Sequence, residues 1–309
     1  MATLNPCTPE ELEIRENFKR DYKLSCPVLD DNDIFAKSLV VGNLQNEWPE
    51  YLEMSKRHED INEYRKTVRN KITSFISAVK GFENAPLQEY KYPDIKAPRS
   101  YLNDENVGKR LLSIDLVKGN YQSLKYLGTQ YVLDTDSYED LIKRFTNEKC
   151  LISSKFFRQM VFGLLRPDLQ ASVQRNMLGS LIETVKKSFP KFELVGLSND
   201  EAVLRIENDS QLDEVAKVLQ ASNTNVLYRL TLFRIEKIPN TYEDPWYVKY
   251  YLNQAADKPQ KRLMAVHVRY LMQVYNFIEG NENDEKDFWW RERGRLCKLL
   301  EPERFGVSK

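Results

Sequence analysis

Histidine is nearly absent from this 309-residue sequence, which has only His58 and His267. The four cysteines, Cys7, Cys26, Cys150 and Cys297, lie far apart, with no C-x-x-C and no Cys/His cluster. A zinc centre of the usual N/S type therefore has no ligand set to draw on. A Ser-His-Asp triad has equally little material, and no G-x-S-x-G elbow occurs. Glycine is sparse, at 11 residues, and neither G-x-x-x-x-G-K-[ST] nor G-x-G-x-x-G is present. That argues against a P-loop ATPase and a Rossmann dehydrogenase. No run of about 20 apolar residues is available to span a bilayer, and no apolar leader of signal-peptide type opens the chain. These absences predict an intracellular protein, cytoplasmic or nuclear, with reduced thiols and no membrane partner. Charge excess of either sign is missing too, because 46 basic and 46 acidic side chains cancel. A general polyanion binder is disfavoured, while a local basic channel stays open.

What is present is globular. Hydrophobic residues make up 41% and charged residues 30%, enough for a sizeable core in one large or two modest domains. The first 100 residues read as helical. Thr8 to Glu11 has a capping-box pattern, and Ile61, Tyr64, Val68, Ile72, Phe75 and Val79 recur at helical spacing before a stop at Gly81. Pro86, Pro93 and Pro98 mark a loop. Residues 101–240 change character. Leu111 to Leu116 reads as a buried strand, followed by helices over about 154–165 and 168–187, the second with Leu169, Val173, Met177, Leu181 and Val185 on one face. "FELVGLSNDEAVLRIE" reads as a hairpin turning at Asn199-Asp200. A helix carrying Leu212, Val215, Ala216 and Leu219 follows, capped by Asp209 or Ser210, and "NVLYRLTLFRIEKI" is a long strand or second hairpin. Residues 241–309 read as helical again, with Asp244-Pro245 as a start signal. The predicted fold is α+β: a small antiparallel sheet packed on helices, between helical N- and C-terminal regions.

Acids stand at two places where chemistry is often found. Asp115 ends the first strand, and Asp200-Glu201 sits in the hairpin turn. Carboxylates on neighbouring strand ends suit a pair of Mg2+ ions, which take oxygen ligands and keep positions open for phosphate. Acids at strand ends and turns are also ordinary turn chemistry. The helix between them has two faces: Phe157, Met160, Val161 and Leu164 on one, Lys155, Arg158, Gln159 and Phe162 on the other. Lysine, arginine and an aromatic together suit a nucleoside triphosphate, the cations meeting phosphate and the ring meeting the base. The bland alternative is that Phe162 packs against the terminal helices.

Order and residues resemble the palm and fingers of template-dependent nucleic-acid polymerases, most of all DNA polymerase family A. "SIDLVKGNYQSL" is similar to motif A, "KFFRQMVFGLL" to the fingers helix, and "LVGLSNDEAVLRI" to motif C. The resemblance covers about residues 105–240. It implies that Asp115 and Asp200 hold metal, that Glu201 stands beside the primer terminus, and that Arg158 and Phe162 replace the lysine and aromatic of the fingers helix. Tyr121 would stand one register from a sugar-selecting gate. There are departures: Asn120 replaces the acid five residues after the motif A aspartate, Arg166 the fingers tyrosine, and Asn199 the motif C histidine. The gap between fingers helix and motif C is short, and there is no room for a proofreading exonuclease.

A reduced or degenerate polymerase of viral or mobile-element origin fits this pattern. It would be a nucleotidyltransferase using two Mg2+ ions and a nucleoside triphosphate on a nucleic-acid substrate, with the missing fingers elements supplied by a protein partner. So does a non-enzymatic module, a replication accessory, structural or inhibitor protein, that binds nucleic acid or protein on a palm-derived scaffold. An active site requires Asp115 and Asp200 within roughly 6 Å, open to solvent, with Arg158 and Phe162 facing them. A scaffold allows them to be buried or paired with cations. A plain helical interaction protein follows if residues 193–206 form no hairpin. Trp289 and Trp290 among Arg291, Arg293 and Arg295 are read as an amphipathic terminal helix, with single-strand binding as the lesser alternative.

Overall fold

Thr8 Oγ1 accepts the Glu11 N–H, so α1 (Pro9–Tyr22) begins at its predicted cap. In the computed structural model, which describes residues 4–85, 95–222, 225–239, 245–255 and 260–299, three more helices follow: α2 (Asn32–Gly42), α3 (Glu47–Arg57) and α4 (Ile61–Ser77). The apolar stripe of α4 buries Ile61, Val68, Ile72 and Ile76. Phe75, predicted for that stripe, is exposed, since Ile76 holds the better phase.

The sheet is built from β1 (Arg110–Leu116), β2 (Glu193–Leu197), β3 (Glu201–Ile206), β4 (Tyr228–Ile238), β5 (Trp246–Tyr251) and β6 (Lys261–Met264). Their order is β2-β3-β1-β4-β5-β6, and every pairing is antiparallel. Helices link β1 to β2, the last being α9 (Pro167–Ser188), and α10 (Ser210–Ala221) links β3 to β4. The first four strands thus make two interlocked split β-α-β units, a βαββαβ arrangement with β1 at its centre. α9 and α10 cover one face. Leu112, Ile114, Leu204 and Leu232 meet Val173, Leu181, Val215 and Leu219 there, which explains the i+4 stripe of α9.

Between β1 and α9 lie α5 (Gly119–Leu127), α6 (Tyr138–Lys143), α7 (Lys149–Ser153) and α8 (Lys155–Phe162). These pack with the N-terminal helices in one core that holds Phe18, Tyr51, Ile72, Tyr138, Phe157 and Phe162. That core crosses the expected boundary at residues 100/101.

The C-terminal region is not helical throughout. "WYVKYY" is β5, not a helix: alternating β-branched and aromatic residues extend the sheet. The proposed start signal is half outside the described residues at Asp244, and Pro245 precedes a strand. Among the described residues of this region, α11 (Leu271–Glu279) is the one α-helix that meets the helical expectation. "FWWRERGRLCKLL" folds back as β7 (Trp289–Glu292) and β8 (Arg295–Lys298). Arg293 and Gly294, both at positive φ, form the two-residue turn, and Gly294 is the residue that admits it. Among the described residues, no helix is long and apolar enough to cross a membrane.

One buried side chain fixes the exit of β1 against the entry of β4. Gln122 of α5 donates to the carbonyls of Val117 and Leu227 and accepts the Leu227 N–H at 2.7 Å. Gln122→Ala orphans backbone groups on both strands and should cost about 2 kcal/mol, read as a lower urea midpoint with an unchanged slope.

Candidate functional site

The central strand sets the site. Backbone register places Asp115 opposite Glu201 on β3 and opposite Arg229 on β4. The Leu116 N–H donates to the Asp200 carbonyl at 2.8 Å, joining the end of β1 to the hairpin turn. Gly119 completes that junction, since a Cβ there would lie 3.6 Å from Asp200 Cβ and 3.3 Å from Gln174 Cδ. Residues 193–206 do form the predicted hairpin, so the plain helical reading falls.

Odd-numbered residues of β1, β3, β4 and β5 share the face away from α9 and α10. Asp115, Ser113, Glu201, Arg229 and Lys249 lie on it, with Leu111, Phe233 and Tyr247 packed beneath Tyr101 at one end. Asp115 is held by Arg229 in an ion pair of 2.5 Å. Burial pushes the Asp115 carboxyl up, against the pull of the Arg229 guanidinium, with the Glu201 and Asp200 charges adding to the rise. Glu201 Oε1 accepts the Ser113 hydroxyl at 2.6 Å, and Asp200 Oδ1 accepts the Ser198 hydroxyl at 3.0 Å.

The helical side contributes less than the sequence predicts. Arg158, on α8, is half-buried over the Tyr138 ring, 5.4 Å from its centroid. Burial pulls its pKa down, while the charges of Tyr138, Glu139 and Asp115 hold it up. Phe162 is 0% exposed in the helical core against Tyr138. Of the two sequence readings of this ring, base platform and packing, the structure bears out packing, while Lys155 and Gln159 of the same face stay exposed. Tyr121 is buried as well, and its hydroxyl donates to the Thr135 carbonyl at 2.6 Å, away from any sugar site. Lys155 is exposed and stands at a separate cleft lined by Lys23, Tyr251 and Arg262. Among the departures, Asn120 donates to Gln170, Asn199 accepts from Arg175, and Arg166 caps the carbonyls of Phe82, Glu83 and Ala85. Those three have structural work.

Two residues escaped the sequence reading. Arg229 was legible only as an alternating position in "LYRLTLF". Lys249 sits in an aromatic cage, its ammonium 3.7 Å from the Phe233 ring centroid and 5.4 Å from those of Tyr101 and Tyr251. Burial pulls its pKa down to about 8, despite the Glu201 charge.

The palm resemblance implies a pair of Mg2+ ions, and the donors as arranged do not fit one. No group of three or more His, Cys, Asp or Glu that could hold a metal gathers among the described residues. Asp115 shares its oxygen with a guanidinium, and burial disfavours the anion that a hard cation needs. Comparison with known proteins adds nothing to this geometry: no family model, no curated protein and no solved structure matches the chain.

Both titrating groups weaken the fold at neutral pH. A carboxyl whose folded pKa exceeds its unfolded value stabilises at low pH and loses this as pH rises through that interval. Asp115→Asn should therefore raise the thermal midpoint at neutral pH by roughly 1–2 °C; a fall would show the ion pair to be a net stabiliser. Lys249 has the opposite slope, because the unfolded amine binds its proton more tightly. From about pH 7.5 to about pH 9.5 the wild type should gain about 2 kcal/mol relative to Lys249→Met, measured by urea unfolding at both values.

Proposed function

We propose that this chain is a non-catalytic nucleic-acid-binding module built on a palm-type βαββαβ sheet. The observation that carries this reading is the Arg229–Asp115 ion pair. Where a two-ion centre needs a free carboxylate, β4 supplies a side-chain cation instead. The remaining acids of the face are engaged by Ser113 and Ser198, while Lys155, Lys23 and Arg262 have no acidic partner among the described residues. A face whose acids are satisfied and whose cations are not attracts phosphate. Tyr251, which lines the same cleft as those cations, supplies ring surface of the kind that bases stack on.

A second reading keeps the sequence-level proposal of metal-dependent nucleotidyl transfer. It is favoured by the register that sets Asp115 beside Glu201 and the Asp200 turn. In that reading Asp115 and Asp200 would hold the ions once Arg229 swings away, which its exposed side chain permits.

Two titrations separate the readings. On the binding reading, a labelled single-stranded oligonucleotide binds with a salt slope of about −0.7 per phosphate contact. Asp115→Asn then binds at least as tightly, because Arg229 is released to phosphate. Calorimetry with Mg2+ or Mn2+ and a nucleoside triphosphate gives no heat. Metal-dependent triphosphate binding that disappears in Asp115→Asn/Asp200→Asn would replace the binding reading with the catalytic one.

A further inference from the structure

The helix-free face of the sheet runs out, beyond Lys249, into a cleft. In the β5–β6 register Lys249 stands opposite Arg262, so the two share a face. From there the wall passes to the helical layer: the cleft, of about 400 Å3, is lined by Lys23, Lys155, Tyr251, Gln254, Lys261 and Arg262 among others, with no aspartate or glutamate among the described residues that line it. It lies between the C-terminal ends of α1 and α2, the start of α8 and the outer strands of the sheet.

Each cation has a competing local explanation to weigh. Lys23 follows the last turn of α1, where a positive charge suits the helix dipole. Lys261 pairs with Glu279 at 2.9 Å and donates to the Ile278 carbonyl. Lys155 and Arg262 have no such account. Neither has a hydrogen-bond or ion-pair partner among the described residues, and Arg262 stands close enough to Lys249 to help lower its pKa. Like charges drawn together around one concavity oppose folding, and an anion seated between them removes that opposition. Two features are not electrostatic. Tyr251 presents a ring to the cleft beside the cations. Gln254 Oε1 is shut off from solvent and has no hydrogen-bond partner among the described residues, leaving an acceptor for a donor that the chain itself does not supply.

We propose that this cleft seats one nucleotide of a single-stranded nucleic acid, with Lys155 and Arg262 on the phosphate and Tyr251 against the base. Gln254 would accept from an N–H or O–H of the base or sugar. The volume admits a nucleotide and excludes a duplex, whose grooves need an element of whole-helix width. The proposal rests on the nucleic-acid-binding reading above and assigns it a place.

The test is fluorescence anisotropy of a labelled oligothymidine or oligouridine against four proteins at several salt concentrations. These are the wild type, Lys155→Glu/Arg262→Glu, Tyr251→Ala, and Lys186→Glu/Lys187→Glu on α9, which makes the same charge change on the opposite side of the sheet. The cleft double variant should bind at least about tenfold more weakly, with a salt slope shallower by about 0.7, for the one phosphate seated there. Tyr251→Ala should lose about tenfold with its salt slope unchanged, the mark of lost stacking. The α9 control should bind like the wild type. If cleft and control variants weaken equally, the cleft assignment is overturned while the binding reading stands. If Tyr251→Ala binds normally, the cleft is a general polyanion seat and the nucleotide assignment falls. If the folded wild type binds neither oligonucleotide, the binding reading itself fails and takes the cleft with it.

Discussion

β1 is hydrogen-bonded along both edges, to β3 on one side and β4 on the other. A strand held this way has a single register, because a one-residue slip would turn Leu112, Ile114 and Leu116 out of the core under α9. The same register decides what meets at its end. Asp115 cannot avoid Glu201 on its left or Arg229 on its right. Gln122 then pins the chain leaving β1 to the chain entering β4, so the ion pair inherits the rigidity of the core.

That rigidity holds charges where they are costly. Asp115 is desolvated enough that its anion is disfavoured, and Lys249 is desolvated enough that its ammonium is. A sequence selected for stability alone would place apolar side chains at both positions. Groups kept at a cost to the fold mark surfaces retained for another purpose. Here Asp115, Glu201 and Asp200 already have partners, whereas Lys155 and Arg262 at the cleft have no side-chain partner among the described residues.

Local pattern carried much of the architecture. The period-two runs around Asp115 and Asn199, the i+4 stripe of α9 and the Thr8 cap each depend on neighbours in sequence, and each appears where those neighbours place it. What local pattern does not contain is the partner across a sheet or the second wall around a helix. Phe162 has two readings in the sequence, base platform and core, and the core reading holds because helices distant in sequence close over it. Arg229 was missed because its meaning lies in a pairing across 114 residues. The terminal ribbon was misread as a helix because its tryptophans and arginines fit either period, and only Gly294 distinguished them.

The ribbon β7–β8 is tied to the other end of the chain. Arg291 donates its backbone N–H to Pro27 and pairs with Asp30, Lys286 reaches Asp31 and Asp33, and Lys37 reaches Asp287. Trp289 joins the core around Phe18. These contacts span some 250 residues of sequence, so they close a very long loop, and such closures come late in folding. During synthesis at the ribosome, α1 and α2 emerge early yet stay without this part of their wall until the ribbon has been made. The N-terminal helices are thus synthesised well before the strands that complete their wall, and are among the last elements to be sealed.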